Sequence, residues 1–365
     1  MKHLRQVFRQ GPGAQPASEQ TRFTRGNAAR LLLLAAALAG LWYLGGDAGL
    51  SPDENRLWDR VRAAQLHLWQ WRQLNGTAAT PESDPWQCGL IGVEWSAITT
   101  TLGELASKRT ACHPAWAVQF GRWFRELGLK AGDRIAIYSS GSFPGLLLNA
   151  IAASEAMQLE PLLIVSLAAS TWGANHPGMP WPVMAAELRS GGFIRERADF
   201  YTLGGGAELG HDMAPEGQAL LREAAAESGV EILSAAGLQQ MIVLKMELLE
   251  AFGPVVLINI GGSQANLGDA EDVLRLTPGI IPAGEAEQAG NGVIGLAMRD
   301  GIRVIHMLNI RALSATAGIP YDVPAGKAAP AKANILWPVT GLAVFFIVLL
   351  THRRWKLEAG EDEVR

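Results

Sequence analysis

The sequence predicts an α/β fold: one doubly wound domain on a mainly parallel sheet, placed outside the membrane between an N-terminal and a C-terminal transmembrane helix. Three observations predict it. Short, nearly continuous apolar runs of strand length alternate with stretches of helical period, the pattern of strands buried on both faces and joined by helical crossovers. Several of those runs end in Gly, Ser, Thr or Asn, at the edge where open α/β sheets hold their ligands. Two long apolar segments, residues 31–46 and 335–351, bracket everything else.

The ends set the topology. Residues 1–27 are polar and rich in Gly, Pro, Gln and Arg, the composition of a disordered tail. Lys2, Arg5, Arg9, Arg22, Arg25 and Arg30 precede the first apolar segment against one acid, Glu19, and Arg353, Arg354 and Lys356 follow the second. Cations flanking a span stay inside, so both termini are expected in the cytoplasm and the body beyond the cytoplasmic (inner) membrane. As a helix, residues 31–46 reach about 24 Å. Ala28 and Ala29 are needed to approach the roughly 30 Å hydrocarbon core, which places the first span at 28–46. The leader ahead of it is long for a secretory signal and no clean A-x-A site follows Tyr43, favouring an uncleaved anchor over a signal peptide. The second span, 335–351, carries the uncharged run Val344 to Leu350 and ends on a cationic stop, with a short cytoplasmic tail at 352–365.

Residues 47–87 read as a juxtamembrane helix and loop. Leu57, Val61, Leu66, Leu68 and Trp69 alternate with charges over 53–74, an amphipathic helix. Trp58, Trp69 and Trp71 suit either an interfacial belt or packing on the domain. The α/β domain follows at 88–320. Strands are predicted over 90–95, 134–138, 162–166, 200–203, 255–260 and 303–308, and helices over 114–127, 144–158, 182–190, 215–228 and 238–252. A linker, 321–334, leads to the second span.

Between residues 47 and 334 there are 21 Lys or Arg against 30 Asp or Glu, a formal balance of −9. An acidic body repels polyanions in bulk, which argues against nucleic acid and leaves any acidic ligand to a local cationic or amide-rich pocket. The only cysteines, Cys88 and Cys112, allow a disulfide worth roughly 3 kcal/mol by loop entropy or two buried free thiols. Glu94, His113, His176, Asp212 and His306 form no local metal-ligand motif, and no G-x-x-x-x-G-K-[ST] loop is present. Neither metal nor cofactor is therefore expected.

Six loops carry the candidate chemistry. The first gathers Glu94, Ser96, Thr99, Thr100, Thr101, Lys108 and Arg109; hydroxyls and amides at a helix start can hold an anion, with either cation completing the charge. The second, residues 139–145 (SSGSFPG), joins a strand to a helix with Pro144 in its first turn. It suits an anion nest or an exposed serine, Ser140 or Ser142, although its spacing is not that of the G-x-S-x-G elbow. A nucleophilic serine needs a base, and the candidates are His113, His176 and His306. The third loop holds Ser170, Thr171, Asn175 and His176 with Trp172 and Trp181 as walls or core. The fourth offers Gly204, Gly205 and Gly206 with Asp212, the fifth Gly261 and Gly262, and the sixth His306, Asn309 and Arg311. Arg311 suits a carboxylate or phosphate, or a structural salt bridge.

In this order the motifs at 92–96, 98–103, 108–110, 140–144, 170–175, 204–206, 259–262 and 306–311 resemble the poly-γ-glutamate system protein family of bacterial cell envelopes, over roughly residues 88–320. The resemblance implies a role in making, exporting or processing a poly-γ-glutamate capsule or released polymer, beside an ATP-dependent ligase and integral-membrane synthase and export subunits. It supplies no active site to carry over. Three readings follow: an accessory component whose domain binds an anionic ligand, such as the polymer, or a partner subunit; a serine hydrolase or transferase acting on amide-linked polymer, with Ser142 and His306 as its first candidates; and a scaffold for the synthase complex.

Overall fold

The computed structural model describes residues 49–269 and 271–326, with isolated positions in the terminal apolar segments. The chain divides into a unit at 48–333 and a terminal unit of 1–47 with 334–365. Both predicted spans, both tails and part of the linker fall outside the described residues. Among the described residues no helix is long and apolar enough to cross a membrane.

In the larger unit, seven strands form one sheet: β2 (Arg134–Ser140), β3 (Glu160–Ser166), β5 (Phe200–Thr202), β6 (Glu231–Ile232), β7 (Val256–Ile260), β8 (Gly279–Ile280) and β9 (Arg303–Met307), in the order β6-β5-β3-β2-β7-β9-β8. All pairs are parallel except β8 with β9. Alternation along the strands feeds two cores. Ile135, Ile137, Leu163, Val165, Val256, Ile258 and Ile305 face one, while Ala136, Tyr138, Leu162, Ile164, Leu257 and Val304 face the other. The first core is covered by α1 (Pro52–Leu74), α3 (Ala115–Glu126), α4 (Pro144–Ala156), α5 (Trp181–Ser190), α6 (Pro215–Ser228) and α10 (Ile310–Ala317). The second is covered by α7 (Leu238–Phe252), α8 (Gln264–Leu267) and α9 (Val293–Arg299). The sheet is thus doubly wound, with both faces dry.

Helix α1 belongs to this domain, which therefore begins earlier than residue 88. Ser51 caps it and Glu54 reaches back to the Ser51 amide, a capping box. Its stripe of Leu57, Trp58, Val61, Ala64 and Leu68 is buried in the first core, and Trp58 meets His113 edge-on at 5.2 Å. Trp71 packs against the same core.

No strand forms at 90–95, because its backbone groups are claimed by side chains and by the Trp172 backbone, which accepts from the Gly92 N–H (3.1 Å) and donates to the Val93 carbonyl (2.8 Å). Arg72 donates to the carbonyls of Gly89 (2.9 Å) and Ile91 (2.6 Å). Asn175 takes both the N–H (2.9 Å) and the carbonyl (2.8 Å) of Val93. A smaller parallel pair lies nearby instead, β1 (Thr99–Thr101) with β4 (Ala169–Ser170), which places Ser170 beside Thr101. Cys88 and Cys112 are buried free thiols; burial and the hydrogen bond to Cys112 push the Cys88 thiol well above its ordinary value.

Candidate functional site

Strand β2 starts the sheet; β3, β5 and β6 are added on one side of it, then β7 and β9 on the other. The order reverses between β2 and β7, and the carboxyl ends of the strands diverge there into a crevice. A cleft of about 470 Å³ occupies that edge. All six candidate loops reach it: Thr100, Thr101 and Lys108; Ser140 and Ser142; Ser170; Gly204 to Gly206 with Asp212; Gly262 to Gln264; and Asn309.

Close packing brings the loops this near. Gly261 has φ +83°, and a Cβ there would stand 2.3 Å from Ser140 Oγ, so the turn after β7 accepts only glycine against the turn after β2. At Gly103 a Cβ would stand 2.8 Å from Ser170 Oγ and 3.0 Å from Lys108 Cε.

The fourth loop is held by a buried carboxylate. Ala207 and Glu208 both have positive φ, +55° and +62°, a conformation that costs free energy unless the surroundings enforce it. Glu208 accepts hydrogen bonds from Ser166 Oγ (2.7 Å), Thr202 Oγ1 (2.6 Å), the Ala265 amide (3.1 Å) and Ser263 Oγ, and pairs with Lys245 Nζ at 2.7 Å. Burial pushes its carboxyl up, but Lys245 and the hydroxyl donors outweigh that and hold it below the usual carboxylate range. Lys245 also donates to Asn266 Oδ1 (3.0 Å), and Asn266 Nδ2 to Asn259 Oδ1 (2.8 Å). One polar network therefore joins β3, β5, β7, α7 and α8 beneath the cleft floor.

Lys108 is 3% exposed. It lies in α2 (Leu105–Ala111), with Nζ 2.5 Å from the Ser142 carbonyl oxygen, 2.7 Å from Ser170 Oγ and 3.8 Å from the centre of the Phe143 ring. The Ser170 amide donates to Ser142 Oγ at 3.0 Å. Burial pulls the Lys108 amine down to about 7.

Other predicted residues serve the frame. Thr99 Oγ1 accepts from the Ser96 amide and from Asn175 Nδ2, both at 2.9 Å, and Ser96 Oγ donates to the Asn175 carbonyl. These three clamp the first loop to the third outside the cleft lining. Glu94 is exposed. Arg109 turns away to the carbonyls of Glu82 and Ser83 and to Asp322. Arg311 stands at the rim, 3.0 Å from Glu104, over the Tyr321 ring. Asn309, with φ +54°, caps α10 by accepting from the Ala312 amide (3.3 Å). Trp181 is buried core, and Trp172 is half-buried against it.

Among the described residues no hydrogen bond joins Ser142 to a histidine. His306 is buried with Nδ1 3.1 Å from Asn259 Nδ2, and burial pulls it down to about 4. The Nδ1 atoms of His176 and His113 accept from the Gly178 and Ala115 amides. Among the described residues no His, Cys, Asp or Glu cluster could hold a metal.

Sequence reasoning missed Lys245, Glu208 and the contact of Lys108 with Ser170. A signal for the first was present: Met241, Ile242, Lys245, Met246 and Leu249 share one buried stripe of α7, and a lone cation in such a stripe needs a partner. What the assembled edge offers is an array of hydroxyls, glycine backbone and one amine close to neutrality, suited to amide and carboxylate groups. No family model, no curated protein and no solved structure matches the chain.

Proposed function

We propose that this chain is a membrane-anchored accessory component of bacterial poly-γ-glutamate synthesis and export, whose α/β domain takes a segment of the carboxylate-bearing, amide-linked polymer into the cleft. The observation that carries this reading is the convergence of six loops on one cleft at the reversal point of the sheet, a usual place and size for a ligand site in such folds. Hydroxyls and glycine backbone suit the polymer's amides. Arg311 suits a side-chain carboxylate, since its partner Glu104 is itself about half exposed and an exposed ion pair is readily exchanged for another. With the body at −9, recognition rests on such local groups rather than on steering. The chemistry also requires a compartment where the polymer is present, which fits the topology expected from the flanking cations.

The experiment is calorimetric titration of γ-linked glutamate oligomers into the full chain in detergent micelles, with wild type and Arg311→Ala, across a salt series. Wild type is expected to bind, the variant about three- to fivefold more weakly at low salt, and the gap to close as salt rises. Absence of binding would leave the scaffold as the better reading; equal binding by both proteins at every salt would remove Arg311 from the site.

A further inference from the structure

Among the described serines lining the cleft, Ser170 alone meets an amine without a carboxylate partner; Ser263 lies 3.5 Å from Lys245 Nζ, but that amine is paired with Glu208. Ser166 and Ser263 give their hydroxyls to Glu208, Ser140 Oγ receives the Ser142 amide, and Ser142 Oγ receives the Ser170 amide. Ser170 Oγ stands 2.7 Å from Lys108 Nζ. Among the described residues Lys108 has no carboxylate partner, and its amine meets a carbonyl, a hydroxyl and an aromatic ring. Nζ donates to the Ser142 carbonyl at 2.5 Å, stands 3.8 Å from the Phe143 ring centre and lies 2.7 Å from Ser170 Oγ, to which it donates as an ammonium and from which it can accept the hydroxyl proton once neutral. We infer that Ser170 and Lys108 form a serine–lysine dyad, with Ser170 Oγ as nucleophile and Lys108 Nζ as its base, and that the cleft carries out acyl transfer on an amide of the chain it binds. For its substrate class this inference rests on the reading proposed above.

The surroundings hold both groups in place. Gly103 leaves no atom where a Cβ would push them apart, and its N–H and carbonyl are both bonded to Thr171 Oγ1, at 2.6 and 2.8 Å. The Ser170 amide is fixed on Ser142. Burial, which lowers the amine to about 7, leaves a substantial fraction unprotonated at neutral pH, the state a base requires. The other ionisable groups near Lys108 are few. Cys112 caps the C-terminus of α2 one turn later, Glu104 precedes that helix and is paired with Arg311, and Asp212 and the Lys245-bound Glu208 also line the cleft.

The step is balanced without any further reagent than water. Ser170 Oγ bonds to the amide carbonyl carbon as its proton passes to Lys108 Nζ. The C–N bond breaks and the ammonium returns that proton to the leaving amine. Water, deprotonated by the same amine, then adds to the acyl ester; the bond from Ser170 Oγ to carbon breaks and Lys108 returns the proton to Ser170. An amine in place of water makes the net reaction a transfer.

The test uses the full chain in micelles and a fluorophosphonate probe, which phosphonylates activated serines, with the modified peptide located by mass. Labelling is expected at Ser170, rising through about pH 7 as Lys108 loses its proton. It should vanish in Ser170→Ala and fall roughly a hundredfold in Lys108→Met. Lys108→Arg should not restore it, because a guanidinium keeps the charge but gives up no proton. Matching thermal melts certify that each variant folds. Labelling at another serine, labelling of Lys108→Met at the wild-type rate, or no labelling between pH 6 and 9 would overturn the dyad. Oligomer binding by unlabelled wild type would remove the dyad and leave the binding reading; labelled Ser170 without oligomer binding would keep the dyad and remove the substrate class.

Discussion

Glu208 is the residue on which the cleft floor depends most directly. It holds a left-handed backbone, a buried charge and hydrogen bonds to three hydroxyls and an amide, so its removal acts on two levels. Glu208→Ala leaves Lys245 buried without a counter-charge, and breaking one side of a buried pair costs about 3–5 kcal/mol. Replacing both partners, Glu208→Gln with Lys245→Met, should cost clearly less than Glu208→Ala, because no isolated charge remains. Urea melts of the wild type and the two variants read this directly; a double variant no more stable than Glu208→Ala would show that the network's shape, rather than its charge balance, sustains the floor. The sequence makes Lys245 visible as a cation in an apolar stripe. Glu208 is hidden in a Gly-rich loop, because nothing local marks which acid the lysine meets. The same limit concealed the pair of Lys108 and Ser170: sixty-two positions separate them, and the small β1–β4 pairing, with the Ser96, Thr99 and Asn175 clamp, brings the third loop against the first.

At the scale of elements, period and punctuation made most of the core legible. The helices expected over 215–228 and 238–252 form at those residues, and the five main strands of the sheet lie within a residue or two of expectation. Two-residue strands β6 and β8 and the short helices α2 and α8 escaped because so few residues carry no period. The strand expected at 90–95 failed for a different reason, since Arg72, Asn175 and the Trp172 backbone occupy its hydrogen-bonding groups. Helix α1 shows what amphipathicity leaves open: a stripe of Leu and Trp fits a membrane surface or a protein core equally well, and here the partner is the domain. Trp58→Ala should therefore destabilise by about 3–5 kcal/mol, as for other buried aromatic deletions, in micelles and in lipid alike. A loss confined to membrane association, with an unchanged urea midpoint, would return Trp58 to the interface.

Across the whole molecule, stability should depend on pH through buried histidines, His113 and His306 above all, with His176 also held down by burial and by Arg72. Burial holds both His113 and His306 down at about 4, against roughly 6.5 in an unfolded chain. Among the described residues His113 Nε2 is buried without a hydrogen-bond partner, and His306 lies under the switch point beside Asn259. Between those two pH values the unfolded chain binds more protons than the folded one, so stability rises with pH across that window. The contribution is complete above about 6.5 and is lost as pH falls toward 4, by about 3 kcal/mol for each histidine. The carboxylates held low, Glu54 and Glu208, add their losses only as pH falls through the carboxylate range, which leaves the interval from 6.5 to about 4.5 to the histidines. His113→Phe keeps an aromatic ring against Trp58 and removes the ionisation. Its urea midpoint should fall less steeply over that interval than that of the wild type, and the two curves should run parallel above pH 7. Curves that stay parallel throughout would mean that His113 is protonated as readily folded as unfolded, and that the burial of this ring near α1 opens at little cost.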